Sequence, residues 1–195
     1  MSGQRGVGSR SSQTRADIIR AAGELMLDQG YAAVTYRSVA TRAGVTPGLV
    51  QYYFPVLDDL YIAILEAGTD GSVRRLERAA ASARPLRAVW AYANDKAGAA
   101  LLLEFMALAN HRKSIGPVIG RGGERLRRAL VDALEPTLER YGLADNEIPP
   151  AAVVFLMSAV PRMIRLEEAF GTVTGHAEMI ELVEKYLDEV EPQDT

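Results

Sequence analysis

The chain has 195 residues, 48% apolar and 24% charged, with no cysteine and only two histidines. That is enough apolar surface for a core, and it excludes a disulfide scaffold, a thiolate metal site and a cysteine nucleophile. No apolar run reaches the roughly 20 residues of a membrane span, and the opening MSGQRGVGSRSSQTR has no apolar signal core. A cytoplasmic protein that stays off membranes is expected, with no metal and no cofactor. The net charge of −3 is uneven: residues 1–55 carry six Arg and three acids, hence +3, and residues 56–195 carry sixteen bases and twenty-two acids, hence −6. A basic head suited to a polyanion precedes an acidic body that would repel one. A solvated basic tail would give the same sum.

Residues 1–12 are Gly, Ser, Arg and Gln with almost nothing to bury and read as a disordered arm. Thr14 caps a helix whose Ile18, Ala22, Leu25 and Met26 share one face, and Gly30 stops it. Thr35 caps a second, short helix that ends at Gly44. Thr46 caps a third that runs to about Tyr52, before Pro55 breaks the chain. Asp58 or Asp59 opens a long helix through about Ala80, with acids at its positive end. Pro85 starts a short helix with Leu86, Val89, Trp90 and Tyr92. Residues 96–112 are apolar almost all round and should be central. A helix from about Pro117 to Gly142 follows, then one from Pro149 and Pro150 to Phe170 that Pro161 should kink. The last covers about 175–190. No alternating strand pattern appears, so the expected fold is all-α, about nine helices: a three-helix head over 13–56 and a helical body over 57–195.

Residues 35–54, TYRSVATRAGVTPGLVQYYF, are the most informative. Ala40 is small where one helix approaches another. Gly44 can take positive φ, Val45 follows as a plug, and Val39, Val50 and Tyr53 add apolar contacts. This is the packing pattern of a helix-turn-helix, whose second helix enters the major groove. A helical hairpin in a core is the plain alternative. Helices this short need the first helix as a platform.

The stretch 14–65 resembles the TetR/AcrR family of bacterial transcriptional regulators. The resemblance rests on TRADIIRAAGELMLDQGY, on VTYRSVATRAGVTPGLVQYYF with its Tyr52–Tyr53–Phe54–Pro55 ending, and on LDDLYIAIL. It implies an all-α homodimer with a DNA-binding head and a ligand-binding body that dimerises through the last two helices. It places Thr35 and Thr46 at phosphates, where helix N-termini favour anions, with Tyr36 beside them and Arg37 near a base edge. It puts Pro47, Gly48, Leu49, Gln51 and Tyr52 in the groove and Tyr53 at the backbone. Gln51 could read adenine and Leu49 a thymine methyl. The threonines would cap helices with or without DNA, Arg37 also suits a solvated charge, and Tyr53 also suits the core. One departure stands out: where the family often has a phosphate-gripping Lys after Phe-Pro, this chain has Leu57, then Asp58 and Asp59. Arg5, Arg10 and Arg15 are expected to compensate with phosphate or minor-groove contacts.

In the body, Trp90, Tyr92, Leu102, Phe105, Met106, Phe155, Met157 and Met163 suit a mostly apolar effector pocket, although each singly also suits a core. Glu104, Asn110, His111 and Arg162 are its polar candidates. Met179, Val183, Tyr186, Leu187 and Val190 form the last helix's stripe, read as the dimer interface or as packing within one chain. The expected function is a ligand-responsive regulator. It would most simply be a repressor that holds palindromic double-stranded DNA as a homodimer and is released by a small apolar or amphipathic effector. Activation by the same fold is the alternative. A bundle enzyme with His111 and Glu104 as acid and base finds no nucleophile motif, metal cluster or phosphate loop in support.

Overall fold

The computed structural model describes residues 4–143 and 149–192, the side chains of 4–10 and 96 excepted. Among the described residues the chain forms nine α-helices and one 3-10 turn: α1 Gln4–Gln29, the turn Tyr31–Ala33, α2 Tyr36–Ala43, α3 Pro47–Tyr53, α4 Leu57–Ala80, α5 Pro85–Ala93, α6 Lys96–His111, α7 Ile115–Arg140, α8 Pro150–Glu168 and α9 His176–Val190. No strand occurs among them, as the missing alternation requires. α7 accommodates Pro117 because the first turn of a helix has no intrahelical acceptor for its N–H groups. α8 runs on past Pro161, which is buried.

α1 departs from expectation. It does not start at a Thr14 cap; its backbone is helical from Gln4, through most of the stretch read as a disordered arm. Residues 1–3 of that arm, and the side chains of Arg5 and Arg10, lie outside the described residues. Extending an existing helix fixes one residue per added hydrogen bond, whereas starting one fixes several for a single bond. A packed platform at 18–26 therefore carries a weak sequence along with it. Ser11 Oγ and the Tyr53 hydroxyl also share a hydrogen bond of 2.9 Å.

The chain divides into two compact units: Met1–Gly68 with Ala100–Gly122, and Thr69–Ala99 with Gly123–Thr195. The division differs from a cut after residue 56, because the start of α4, most of α6 and the start of α7 are packed with the head. The first unit buries Ile18, Ala22, Leu25 and Met26 of α1 with Val39, Ala40, Val50, Phe54, Leu60, Tyr61 and Ile64. Phe105, Leu108 and Ile115 complete that core. The second buries Leu76, Leu86, Val89, Trp90, Leu130, Leu134, Leu138, Val154, Met157 and Leu187.

Candidate nucleic-acid interface

The turn between α2 and α3 is set by three local devices. Thr35 Oγ1 accepts from the Ser38 N–H at 3.1 Å, and Ser38 Oγ in return accepts from the Thr35 N–H at 2.9 Å, a reciprocal cap. Ser38 was not legible as a partner because the usual residue there is Glu or Gln. Gly44 ends α2 at φ 67°, ψ 32°, and the Val45 N–H donates back to the Ala40 carbonyl at 3.0 Å. Val45 is half-buried against the head core rather than a full plug. Thr46 Oγ1 then accepts from the Leu49 N–H at 3.3 Å, with Pro47 in the first turn of α3. A Cβ on Gly44 would meet nothing within 4 Å, so Gly44→Ala should cost only the left-handed backbone strain, about 1–2 kcal/mol. Thermal melts would show it; an unchanged midpoint would mean that the turn relaxes freely.

α3 presents Pro47, Gly48, Gln51 and Tyr52 to the outside, with Leu49 half-buried and Val50 in the core. Tyr52 is 76% exposed although its ring is large and apolar, and Gly48 faces open space. Tyr53 is half-buried, with its hydroxyl on Ser11 and its ring edge-on to Tyr52 at 5.4 Å. Tyr36 is less free than expected: its hydroxyl donates to the Pro55 carbonyl at 2.8 Å, tying α2 to the end of α3.

The cations of the head fall into two groups. Arg20 pairs with Asp17 and Glu24, and Arg42 with Asp28. Arg37 is exposed, and no acid or acceptor holds its guanidinium among the described residues. Arg15 stacks its guanidinium over Phe54, 5.0 Å from the ring centroid, again with no acid. Phe54 lies three residues before Leu57, so a cation without an acid partner stands over the segment that leads to the missing Lys. Leu57 itself packs on the head core.

Asp58 has a different task. It accepts from Ser114 Oγ at 2.5 Å and from Arg112 Nη1, joining the first turn of α4 to the α6–α7 junction. The Ser114 hydrogen bond and the Arg112 charge hold its carboxyl below its ordinary pKa against the opposing effect of burial. Its stabilisation is therefore complete above the ordinary carboxylate pKa of about 4 and fades as pH falls through the lowered folded value. Asp58→Asn should cost about 1 kcal/mol near neutrality, because water reaches Arg112, and should flatten the acid limb of stability. Denaturation midpoints compared near pH 6 and pH 3 would check this; parallel pH profiles would refute it. Nearby, Glu104 accepts from the Tyr31 N–H at 2.9 Å, beside Gly30 at φ 81°. The expected polar ligand group is thus holding backbone, and His111 is exposed with its ring 6.1 Å from that of Tyr31.

The eight expected effector residues are divided between the two units. Leu102, Phe105 and Met106 belong to the first unit, where Phe105 is core, edge-on to Tyr61, and Met106 is exposed. In the second unit Met157 and Trp90 are buried, Tyr92 is half-buried beneath the Arg75 guanidinium, and Phe155 and Met163 are exposed. Trp90 lines a groove of about 360 Å³ with Arg87, Ala91, Asn94, Ile180 and Glu184. The α9 stripe also divides. Leu187 is buried in its own chain, and Val183 and Val190 pack beside it. Met179 and Tyr186 face out, as do Ile180 and Leu182, which sequence reasoning missed. Phe155, Leu156, Met163 and Leu166 are the exposed apolar residues of α8, and Phe170 beyond it is 81% exposed.

Residues 18–64 match the family model described as bacterial regulatory proteins, tetR family. The chain is similar in structure to a protein from Mesorhizobium loti MAFF303099 described as a TetR-family transcriptional regulator, with 17% identity and a TM-score of 0.71, covering 93% of this chain and 96% of that one. A Rhodococcus sp. protein of the same description gives 18% identity and a TM-score of 0.69 over 89% and 97%. The multidrug binding protein EbrR, complexed with proflavin, gives 24% and 0.55 over 88% and 98%. No curated protein sequence matches the chain. Residues 18–64 thus carry the signature of the tetR family of bacterial regulatory proteins, on a fold seen along nearly the whole length in solved structures described as TetR-family regulators.

Proposed function

We propose that the protein is a repressor that binds a palindromic operator as a homodimer, laying α3 in the major groove, and that a small apolar or amphipathic effector releases it. The observation that carries this reading is the outer face of the head. Gly48, Gln51 and Tyr52 stand exposed on α3, and Arg37 and Arg15 are free cations while Arg20 and Arg42 are neutralised. Gln51 suits the adenine edge and Arg37 the guanine edge, with Arg15 and Tyr53 at phosphates. Thr35 and Thr46, whose hydroxyls cap α2 and α3, present helix N-termini to the backbone.

Dimerisation is supported by exposed apolar residues on both terminal helices, Leu156 and Met163 of α8 with Met179, Leu182 and Tyr186 of α9, since apolar side chains clustered at a surface mark an interaction site. Two heads on a palindrome also supply the base contacts that one short helix cannot. The body is the effector-binding part in this reading; EbrR, a multidrug binding protein of this fold, forms a complex with proflavin. An effector must bind the DNA-free form more tightly, and the coupling is reciprocal. No helix among the described residues is long and apolar enough to cross a membrane, and the work assigned here lies with cytoplasmic DNA.

The test is fluorescence anisotropy at near-physiological salt, comparing the duplex upstream of the protein's own gene with a scrambled one. A preference of about a thousandfold or more is expected of a specific reader. Equal, steeply salt-dependent binding to both duplexes would overturn the operator reading.

A further inference from the structure

Beyond the head, Arg127 and Arg162 have no counter-charge among the described residues. Arg127 of α7 lies over the Phe155 ring of α8, 5.0 Å from its centroid. Ser158 and Arg162 follow Phe155 one and two turns along α8, on the same flank. A helical side chain leans toward its own N-terminus, which brings Arg162 back toward Phe155 and Arg127. Among the described residues neither guanidinium has an ion-pair or hydrogen-bond partner. Arg165, one turn further on, pairs with Glu168 at 2.5 Å and leaves its buried Nε–H without an acceptor.

The neighbouring acids are engaged elsewhere: Glu124 with Arg128 at 2.6 Å and Glu167 with His176 at 2.7 Å. Crowding by neighbouring atoms and the Arg127 charge both lower the Arg162 pKa from its ordinary value, although the side chain still reaches water. Like charges held together without a counter-ion cost free energy. In a stretch of chain where acids outnumber bases by six, this gathering of unpaired arginines runs against the composition.

We propose that Arg127 and Arg162, with the Phe155 ring as an apolar wall, bind the anionic group of an amphipathic organic anion, a carboxylate or phosphate monoester on an apolar body. Guanidinium forks match both oxyanions, and the exposed Phe155 ring gives the apolar part a surface. The inference rests on the effector reading and narrows it to anions.

The test is calorimetric titration of the full chain with decanoate, decyl phosphate and neutral 1-decanol. At least one anion should bind about tenfold or more tightly than decanol, and the stronger of the two identifies the headgroup. Arg127→Gln and Arg162→Gln should each remove that preference and leave decanol binding and the melting midpoint unchanged or raised. No anion preference, or a preference that survives both substitutions, would overturn the proposal. So would weakened self-association in sedimentation with unchanged anion binding, since the arginines would then face acids of a second copy. Adding the preferred anion to the DNA complex separates the two readings. Binding without DNA release keeps the anion site and removes its effector role, whereas DNA release by decanol, undiminished in both variants, keeps the effector and removes the anion site.

Discussion

Glu191→Ala should destabilise the second unit by roughly 3 kcal/mol, the largest effect of any single side chain considered. Glu191 is 3% exposed, just past the end of α9. Its carboxylate accepts from the Leu86 N–H at 3.0 Å, the Arg87 N–H at 2.9 Å and the Tyr141 hydroxyl at 3.0 Å. It therefore caps α5 from 105 residues away in sequence. Pro85 at the first position lacks an N–H, the next two go to Glu191, and Arg84 provides no side-chain cap. The Glu191 carbonyl accepts from Arg87 Nε at 3.0 Å, and Arg87 also pairs with Glu184 and Asp188. Burial and this carboxylate together raise the Tyr141 pKa. Removing the carboxylate strands donors on three residues at once, one buried and two part-buried, and Gln, with one acceptor oxygen, should recover only part of the loss. Trp90, the single tryptophan, donates to Glu184 at 2.9 Å and reports this unit by fluorescence. A denaturant midpoint unchanged in Glu191→Ala would show that water replaces the carboxylate at no cost.

That such a residue escaped the sequence reading has a simple cause. A glutamate near the end of an acidic helix looks like solvated charge, and its value depends on what the fold brings beside it. The same holds for Arg127, which gains meaning only when α7 lies against α8; Arg162 was expected among the polar effector candidates, but without Arg127 as its neighbour. The head was more legible because its constraints are local: Thr35, Gly44, Thr46 and Pro55 each act within a few residues, and Ile18, Ala22, Leu25 and Met26 follow the helical period. The α9 stripe failed halfway. Apolar residues on two adjoining faces gave one broad pattern, and only packing separates Leu187, inside, from Tyr186, outside. Phe105 failed similarly, since an aromatic on an apolar helix serves a core as readily as a pocket, and here it completes the head.

Arg37→Ala and Arg15→Gln should weaken operator binding in different ways. Arg37 is the free cation of α2, suited to a guanine edge, and its loss should cost about 1–3 kcal/mol on the operator. Binding to scrambled DNA should fall much less, so specificity narrows. Arg15 stands over Phe54; assigned to a phosphate in the proposed reading, it should weaken both duplexes alike when replaced by glutamine. Losing one phosphate contact should also reduce the slope of log affinity against log salt by about one unit. Anisotropy titrations at several salt concentrations separate the two cases. If Arg15→Gln leaves the slope intact, the cation is bound to the aromatic ring for stability alone, and the gap left by Leu57 is filled from elsewhere. If Arg37→Ala weakens both duplexes equally, α2 only grips the backbone, and base readout rests with Gln51, Tyr52 and the rest of α3.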